Sequence, residues 1–305
     1  MPSIKIKTPA TVANLVCGFD VLGMCLHDPY DEMEIRLLDE KKVVIKSADG
    51  YELPSDPAQN TAGAPLLELL KEVPEERGFE INIHKHIKPG SGLGSSAASA
   101  AGAVIGANAL LDNPFSKIDL VRFAMFGEKV ASGVKHADNV APCIYGGITL
   151  IRSVFPLDII SIPAPYLFVT VVHPQIEVRT SDARQILRTE VLLKDAIKQW
   201  GNIAGLVAGF MQCDYDLISR SLEDVIIEPV RSILIPGFDD VKKQCKEAGA
   251  LGGGISGSGP SIFMLSKDEP TATAVEKIMQ SIYQRIGLEH FTYVTTINTS
   301  GCTII

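Results

Sequence analysis

The sequence predicts two domains, each mixing α-helices with β-strands, and three features point to this. The chain has 305 residues, about twice what one hydrophobic core usually organises. Short alternating or β-branched runs interleave with longer helical patterns in both halves. A proline-containing stretch at 155–165 separates the two sets and places the domains at 1–155 and 156–305.

In the first half, strands are expected at 4–7, 33–37, 43–46, 79–84 and 147–151, where polar and apolar residues alternate or β-branched residues cluster. Helices are expected at 61–71, through the alanine-rich run after Ser95, and at 117–131, where apolar residues recur at helical spacing. In the second half, strands at 158–162 and 166–172 precede helical stretches within 181–211, 215–222 and 239–247. A strand at 262–265, a helix over 271–285 and a strand at 292–297 complete the pattern, with no internal repeat.

Composition excludes several function classes. A hydrophobic share of 46% and a charged share of 21% rule out extended disorder. The 28 lysines and arginines against 36 acids give a net charge of −8 without any basic run. Nucleic acid and anionic membrane surfaces are therefore not expected partners, although a local cationic pocket for an anionic substrate is compatible with this balance. No stretch approaches the roughly 20 apolar residues of a membrane helix, and the start MPSIKIKTPA reads as a strand rather than a signal peptide. A cytoplasmic protein is expected. Cys17, Cys25, Cys143, Cys213, Cys245 and Cys302 show no C-x-x-C spacing, so buried, reduced thiols are expected instead of a zinc site or a disulfide framework.

The most informative segment is IKPGSGLGSSAASAAGA, residues 87–103. A strand leads into a glycine-rich loop and then a helix of small residues. Gly90, Gly92 and Gly94 let backbone amides approach an oxyanion, and Ser95 and Ser96 add hydroxyls at the first turn, where free N–H groups and the helix dipole favour phosphate. It is neither a Walker A loop nor G-x-G-x-x-G. The same composition also suits a tight loop before a closely packed helix, and the loop alone does not decide.

A second cluster, GGGISGSGPSIF at 252–263, contains a literal G-x-G-x-x-G. Its order is wrong for a dinucleotide site, which needs a strand before and a helix after. The amides of 257–259 would instead form a nest over phosphate from the opposite side, or the segment is a plain glycine-rich hairpin. In FGEKVASGVKHADNVAP, residues 126–142, Glu128 precedes a helix end at Ser132-Gly133 and His136, Asp138 and Asn139 lie in the loop beyond. An acid near a phosphate loop suits Mg²⁺, which takes one or two carboxylates plus substrate phosphates. A solvated helix acid and a loop histidine are the ordinary alternatives. Asn14 and Asp20 sit in the otherwise apolar PATVANLVCGFDVLG, and Arg184 and Arg231 offer bidentate pairing to carboxylate or phosphate, as well as to surface acids.

Taken in order, IKPGSGLGSSAA, GGGISGSGPSIF and PATVANLVCGFDVLG resemble the phosphate loop, the C-terminal glycine-rich motif and the N-terminal motif of the GHMP family of small-molecule kinases, over nearly the whole chain. The N-terminal Asn14, Gly18, Phe19, Asp20 pattern, the His-Ala-Asp-Asn run at 136–139 and the paired arginines are similar to the members acting on homoserine. The resemblance implies an α+β fold with an N-terminal domain like domain 2 of ribosomal protein S5 and a ferredoxin-like C-terminal domain. It implies ATP and L-homoserine as substrates, Mg²⁺ as cofactor, a step in threonine biosynthesis, and a homodimer. By resemblance the triphosphate lies along Pro89, Gly90, Ser91, Gly92, Leu93 and Gly94, then Ser95, Ser96, Ala97, Ala98 and Ser99, with Asn60 near the adenine and Ser258 opposite.

Ser96 and Glu128 are the implied Mg²⁺ ligands. Asn14, Asp20, His136, Asp138, Asn139, Thr180, Arg184, Arg231 and Gly257 are implied around homoserine. The resemblance implies that Asn139 orients the hydroxyl in a direct attack, with Asp138 as the second choice, acting as base. Val12 and Lys88 depart from the family pattern, which favours Ser or Thr and Pro there. Two alternatives carry other consequences: a related kinase for mevalonate or shikimate, and a catalytically silent nucleotide-binding module.

Overall fold

The computed structural model describes residues 2–49, 51–74, 76–178 and 180–305. Strands β1 (Ser3–Ala13), β2 (Leu22–Leu38) and β3 (Val43–Asp49) are followed by helix α1 (Gly63–Leu69) and strand β4 (Gly78–His84). Helices α2 (Ser95–Leu110), α3 (Lys117–Ser132) and α4 (Val140–Tyr145) lead to the hairpin of β5 (Ile148–Val154) and β6 (Leu157–Ile162). Then come β7 (Phe168–Pro174), α5 (Thr180–Gln185), α6 (Leu193–Gln212), α7 (Tyr215–Ser221), α8 (Glu228–Arg231) and α9 (Phe238–Glu247). Strands β8 (Gly252–Ile255) and β9 (Ile262–Ser266), helix α10 (Glu269–Ile286), and strands β10 (His290–Thr296) and β11 (Thr303–Ile304) end the chain.

The first sheet runs β11-β1-β2-β4-β3, with β5 also paired to β2 and β6 to β5. The second runs β10-β7-β9-β8. Numbered along the chain from β7, that is 4-1-3-2, and among the described residues all its pairings are antiparallel. This is the ferredoxin-like order that the resemblance implies. The expected division at 155/156 falls inside the β5–β6 hairpin, so β6 stays with the first sheet and the chain passes to the second over 163–167. No helix among the described residues is long and apolar enough to cross a membrane.

Strands β1 and β2 extend well past the expected 4–7 and 33–37. From Thr8 to Ala13 every residue of β1 is buried, so no alternation marks the strand. Strand β8 hides for a different reason. A Cβ on Gly253 would stand 1.9 Å from the Phe263 carbonyl oxygen, and one on Gly254 2.1 Å from the Glu228 carboxylate, so close packing selects glycines that read as a loop. The helical stretch within 181–211 is two helices, broken at 186–192.

Helix α2 is buried on nearly every side. Added Cβ atoms at Gly102 and Gly106 would meet Thr8 Cγ2 and Ile6 Cδ1, each at 2.3 Å. Small residues let α2 lie directly on β1 and β2, and this fixes where its N-terminus opens. Helix α3 starts with a capping box between Ser116 and Asp119 and ends at left-handed Gly133, which places Glu128 on its buried side one turn before the end.

Candidate active site

One cavity of about 660 Å³ gathers most of the singled-out residues. Asn60, Pro89, Gly90, Gly92, Gly94, Ser95, Ser96, Ser99 and Glu128 line it, together with Asn14, Asp20, His136, Asp138, Asn139, Arg184, Arg231, Gly257 and Ser258. Ser91, Leu93, Ala97 and Ala98 are buried and do not line it. The Ser91 hydroxyl accepts from the Leu93 amide at 3.3 Å, a role inside the loop. Thr180 opens α5, and its side chain lies outside the described residues.

One end of the cavity is built by the α2 N-terminus. Gly94 caps it at φ +66, and an added Cβ there would lie 2.0 Å from Thr11 Oγ1, so both backbone and space require glycine. Beneath the first turn, the buried Lys85 ammonium pairs with Asp31 and donates to the Ser95 carbonyl at 2.9 Å and to Ser99 Oγ at 3.2 Å. Asp31 also accepts from the amides of His86 and Ile87 at 2.7 and 2.8 Å. This ion pair anchors both ends of the phosphate loop. Lys85, one of two lysines in HKHIKPG, gave no sign of it, because its partner is 54 positions away.

The second glycine cluster differs from the expected nest. The Gly259 amide is spent on the Ser256 carbonyl at 2.9 Å, and that of Gly257 reaches the Ala13 carbonyl at 3.4 Å. Ser256 Oγ donates to the Gly92 carbonyl at 2.6 Å, and the Ser261 amide to that of Ser91 at 3.3 Å. The turn clasps the phosphate loop. Asn60 is likewise occupied: its Nδ2 donates to the Pro54 carbonyl and its Oδ1 accepts from the amides of Ala62 and Gly63. It shapes the cavity wall with Leu53 and Pro54.

At the other end, Arg184 Nη2 donates to both carboxylate oxygens of Asp20, at 2.9 and 3.0 Å, and to His136 Nε2 at 3.2 Å. Burial holds the His136 imidazole below its ordinary range, so it accepts here as the neutral ring. Arg231 is buried, donates to the carbonyls of Ala183 and Gly257, and lies over the Phe19 ring at 4.8 Å. Burial and Arg184 push its guanidinium down to about 10, still charged at neutral pH. Asn14 bridges the loops, donating to Gly257 O at 2.8 Å and accepting from the Asp20 amide at 3.0 Å.

Between the two ends stand Glu128, Asp138 and Asn139. Glu128 Oε1 is buried without a hydrogen-bond partner, and burial pushes its carboxyl up while Ser96 opposes this. An orphaned carboxylate oxygen beside a serine hydroxyl, on a cavity wall next to the N-terminus of α2, fits a Mg²⁺ that draws its other ligands from phosphates. Burial, with Asp20 and Glu128 near, pushes Asp138 up to about 7. Thr11 was missed by sequence reasoning, and Phe19 entered it only as part of the N-terminal pattern, without a site role. Both lie inside the quoted N-terminal motif but carry no charge to mark them.

The pattern of the GHMP kinases N terminal domain matches residues 60–147, and that of the GHMP kinases C terminal matches 205–285. Homoserine kinase of Chloroherpeton thalassium is 46% identical over the whole of both chains. That of Chlorobaculum tepidum is 46% identical over all of this chain and 99% of the other. The crystal structure of homoserine kinase from Cytophaga hutchinsonii superposes with a TM-score of 0.95 at 49% identity, covering 100% of this chain and 98% of that one. Mevalonate kinase of L. major in complex with R-mevalonate has a TM-score of 0.73 at 16% identity over 97% and 96% of the two chains, which is a likeness of fold alone. With full-length identity at this level and both domain patterns in place, the chain belongs to the GHMP kinases and, within them, to the homoserine kinases.

Proposed function

We propose that this protein transfers the γ-phosphoryl group of ATP to the side-chain hydroxyl of L-homoserine, giving O-phospho-L-homoserine and ADP. One observation carries the reading: a single cavity joins the anion-binding end of α2 to a carboxylate and two arginines, the complement of an amino-acid head group. The incoming zwitterion replaces an internal ion pair with two external ones. Its ammonium takes Asp20, and its carboxylate takes Arg184 and Arg231. Mevalonate and shikimate lack the ammonium and would leave Asp20 with no new partner.

Ser96 and Glu128 are the residues that would hold Mg²⁺, which when bound neutralises charge on the phosphates. The backbone at Gly92 to Ser96 and the α2 N-terminus receive the triphosphate. Asn139 orients the substrate hydroxyl; its oxygen forms the bond to Pγ as the bond from Pγ to the bridging oxygen of ADP breaks. The hydroxyl proton departs with the phosphoryl group in direct attack. A carboxyl near 7 at Asp138 supports the second reading, in which it takes that proton. A homodimer in the cytoplasm completes the proposal. The exposed apolar side chains of α6, Trp200 and Met211 among them, support a self-association that light scattering would measure.

The test is ADP release with MgATP and, in turn, L-homoserine, L-serine, L-threonine, mevalonate and shikimate. Turnover on homoserine well above the others is expected, and Glu128→Gln should lose at least about a hundredfold of it. Preference for mevalonate or shikimate would remove Asp20 from its role, and ATP binding without turnover on any acceptor would point to a silent module.

A further inference from the structure

Asn139 occupies the N-cap position of α4, where an asparagine side chain ordinarily accepts from the first free amides of the helix. It makes no such bond. Its Oδ1 instead accepts from Thr11 Oγ1 at 2.7 Å, across 128 residues of sequence. Thr11 is fully buried, and its own amide donates to the Leu93 carbonyl in the phosphate loop at 3.1 Å. The pairing of β1 with β2 shifts register between Pro9 and Thr11, so Thr11 sits just past an irregularity of the kind that re-aims a side chain. A Cβ at Gly94 would strike Thr11 Oγ1 at 2.0 Å and reach Asn139 Oδ1 at 3.0 Å. The glycine thus keeps open the contact between these side chains at the very start of α2.

We infer that Thr11 is a positioning residue for phosphoryl transfer, its hydroxyl fixing the Asn139 amide so that Oδ1 is tied down and the NH₂ group is left for the acceptor hydroxyl. Among the described residues no other hydrogen bond involves that side chain, so Thr11 is what sets which end of the amide meets the substrate. An asparagine free to rotate would offer either end. This inference rests on the role proposed for Asn139 above and adds the residue that enforces it. Thr11 itself touches no substrate in this account, so its removal affects the chemical step and leaves the binding of ATP and homoserine unchanged.

The experiment compares full-length Thr11→Val, Thr11→Ser, Asn139→Ala and the Thr11→Val/Asn139→Ala pair. For each, kcat, the KM for both substrates and the melting temperature are measured. Valine keeps the shape and loses the hydroxyl. It should lower kcat by about ten- to a hundredfold with either KM changed less than about threefold, the scale expected of a misoriented group. Serine should restore most of the rate, and the double variant should be no slower than Asn139→Ala alone, because a hydroxyl with no amide to orient has nothing left to contribute. If Thr11→Val melts early, Thr11→Ala with Thr11→Ser as its control is read in the same way. Wild-type kcat in Thr11→Val beside a slow Asn139→Ala overturns the inference and leaves Asn139 standing. Losses that multiply in the double variant overturn it as well. An unimpaired Asn139→Ala overturns the role of Asn139 itself, and the inference with it.

Discussion

Asp138 is 5% exposed, and its carboxyl is pushed up to about 7 by burial first and by the charges of Asp20 and Glu128 next. A base must be deprotonated to act, so if Asp138 takes the hydroxyl proton, kcat rises with pH up to about 7 and levels beyond it. Asp138→Asn then removes that limb along with most of the rate. Direct attack oriented by Asn139 alone leaves the wild-type profile flat through 7, and a pH series of kcat at saturating substrates separates the two. The stability effect has the opposite sense. The folded state keeps a proton that an ordinary carboxyl loses near 4, so Asp138 costs stability progressively as pH rises from about 4 to about 7. A charge retained at that cost in a cavity wall is what a functional site, rather than a packing site, would hold.

The phosphate loop also reaches the second sheet, through a chain of side chains that sequence order does not suggest. Lys88 donates to Gln175 Oε1 at 2.7 Å, and Gln175 Nε2 lies 3.1 Å from His173 Nδ1 on β7. Lys88 thus ties the loop to the sheet through its side chain. Burial, reinforced by the Lys88 charge, pushes His173 down to about 4, which keeps the ring neutral and Nδ1 an acceptor. A histidine depressed in the folded state binds fewer protons than when unfolded. Its contribution is therefore whole above its ordinary 6.5 and lost as pH falls toward 4, on the order of 3 kcal/mol in full. Asp138 acts in the opposite direction over the same range, so the test is the difference: from pH 7 to 5 the urea midpoint of the wild type should fall relative to that of His173→Gln. The same slope in the variant would place the acid sensitivity elsewhere.

The two sheets share one interior. Val169 and Val171 of β7, Phe263 and Leu265 of β9, and Leu206 and Phe210 of α6 belong to the same buried cluster as Ile6, Met33 and Ile81 of the first sheet. The chain end then returns, with Thr303 and Ile304 of β11 paired to Lys7 and Ile6 of β1. A ligand in the cavity touches loops from both sheets, so it should stabilise the molecule as a unit. Calorimetry should give one transition, moved up as a whole by MgATP. The gain would be about 3 kcal/mol at a hundredfold excess over Kd, or several degrees. A thermogram that splits, with only its first part moved, would falsify the single cooperative unit.

The sequence by itself determined the order of most elements, the glycine-rich loop that runs into a helix at 87–103 and the family, because glycines and serines at fixed spacing are local properties that survive without coordinates. It also excluded the dinucleotide reading of 252–257, since order along the chain was enough. Only the tertiary structure decided the partnerships. Asp20 meets Arg184 across 164 residues, Thr11 meets Asn139 across 128 and Asn14 meets Gly257 across 243. It alone assigned β6 to the first sheet, lengthened β1 and β2, and turned the expected amide nest into a clasp on the phosphate loop. Such outcomes depend on which surfaces the buried core brings together, and a strand buried on both faces, or a glycine chosen for close approach, leaves no periodic mark from which a neighbour can be read.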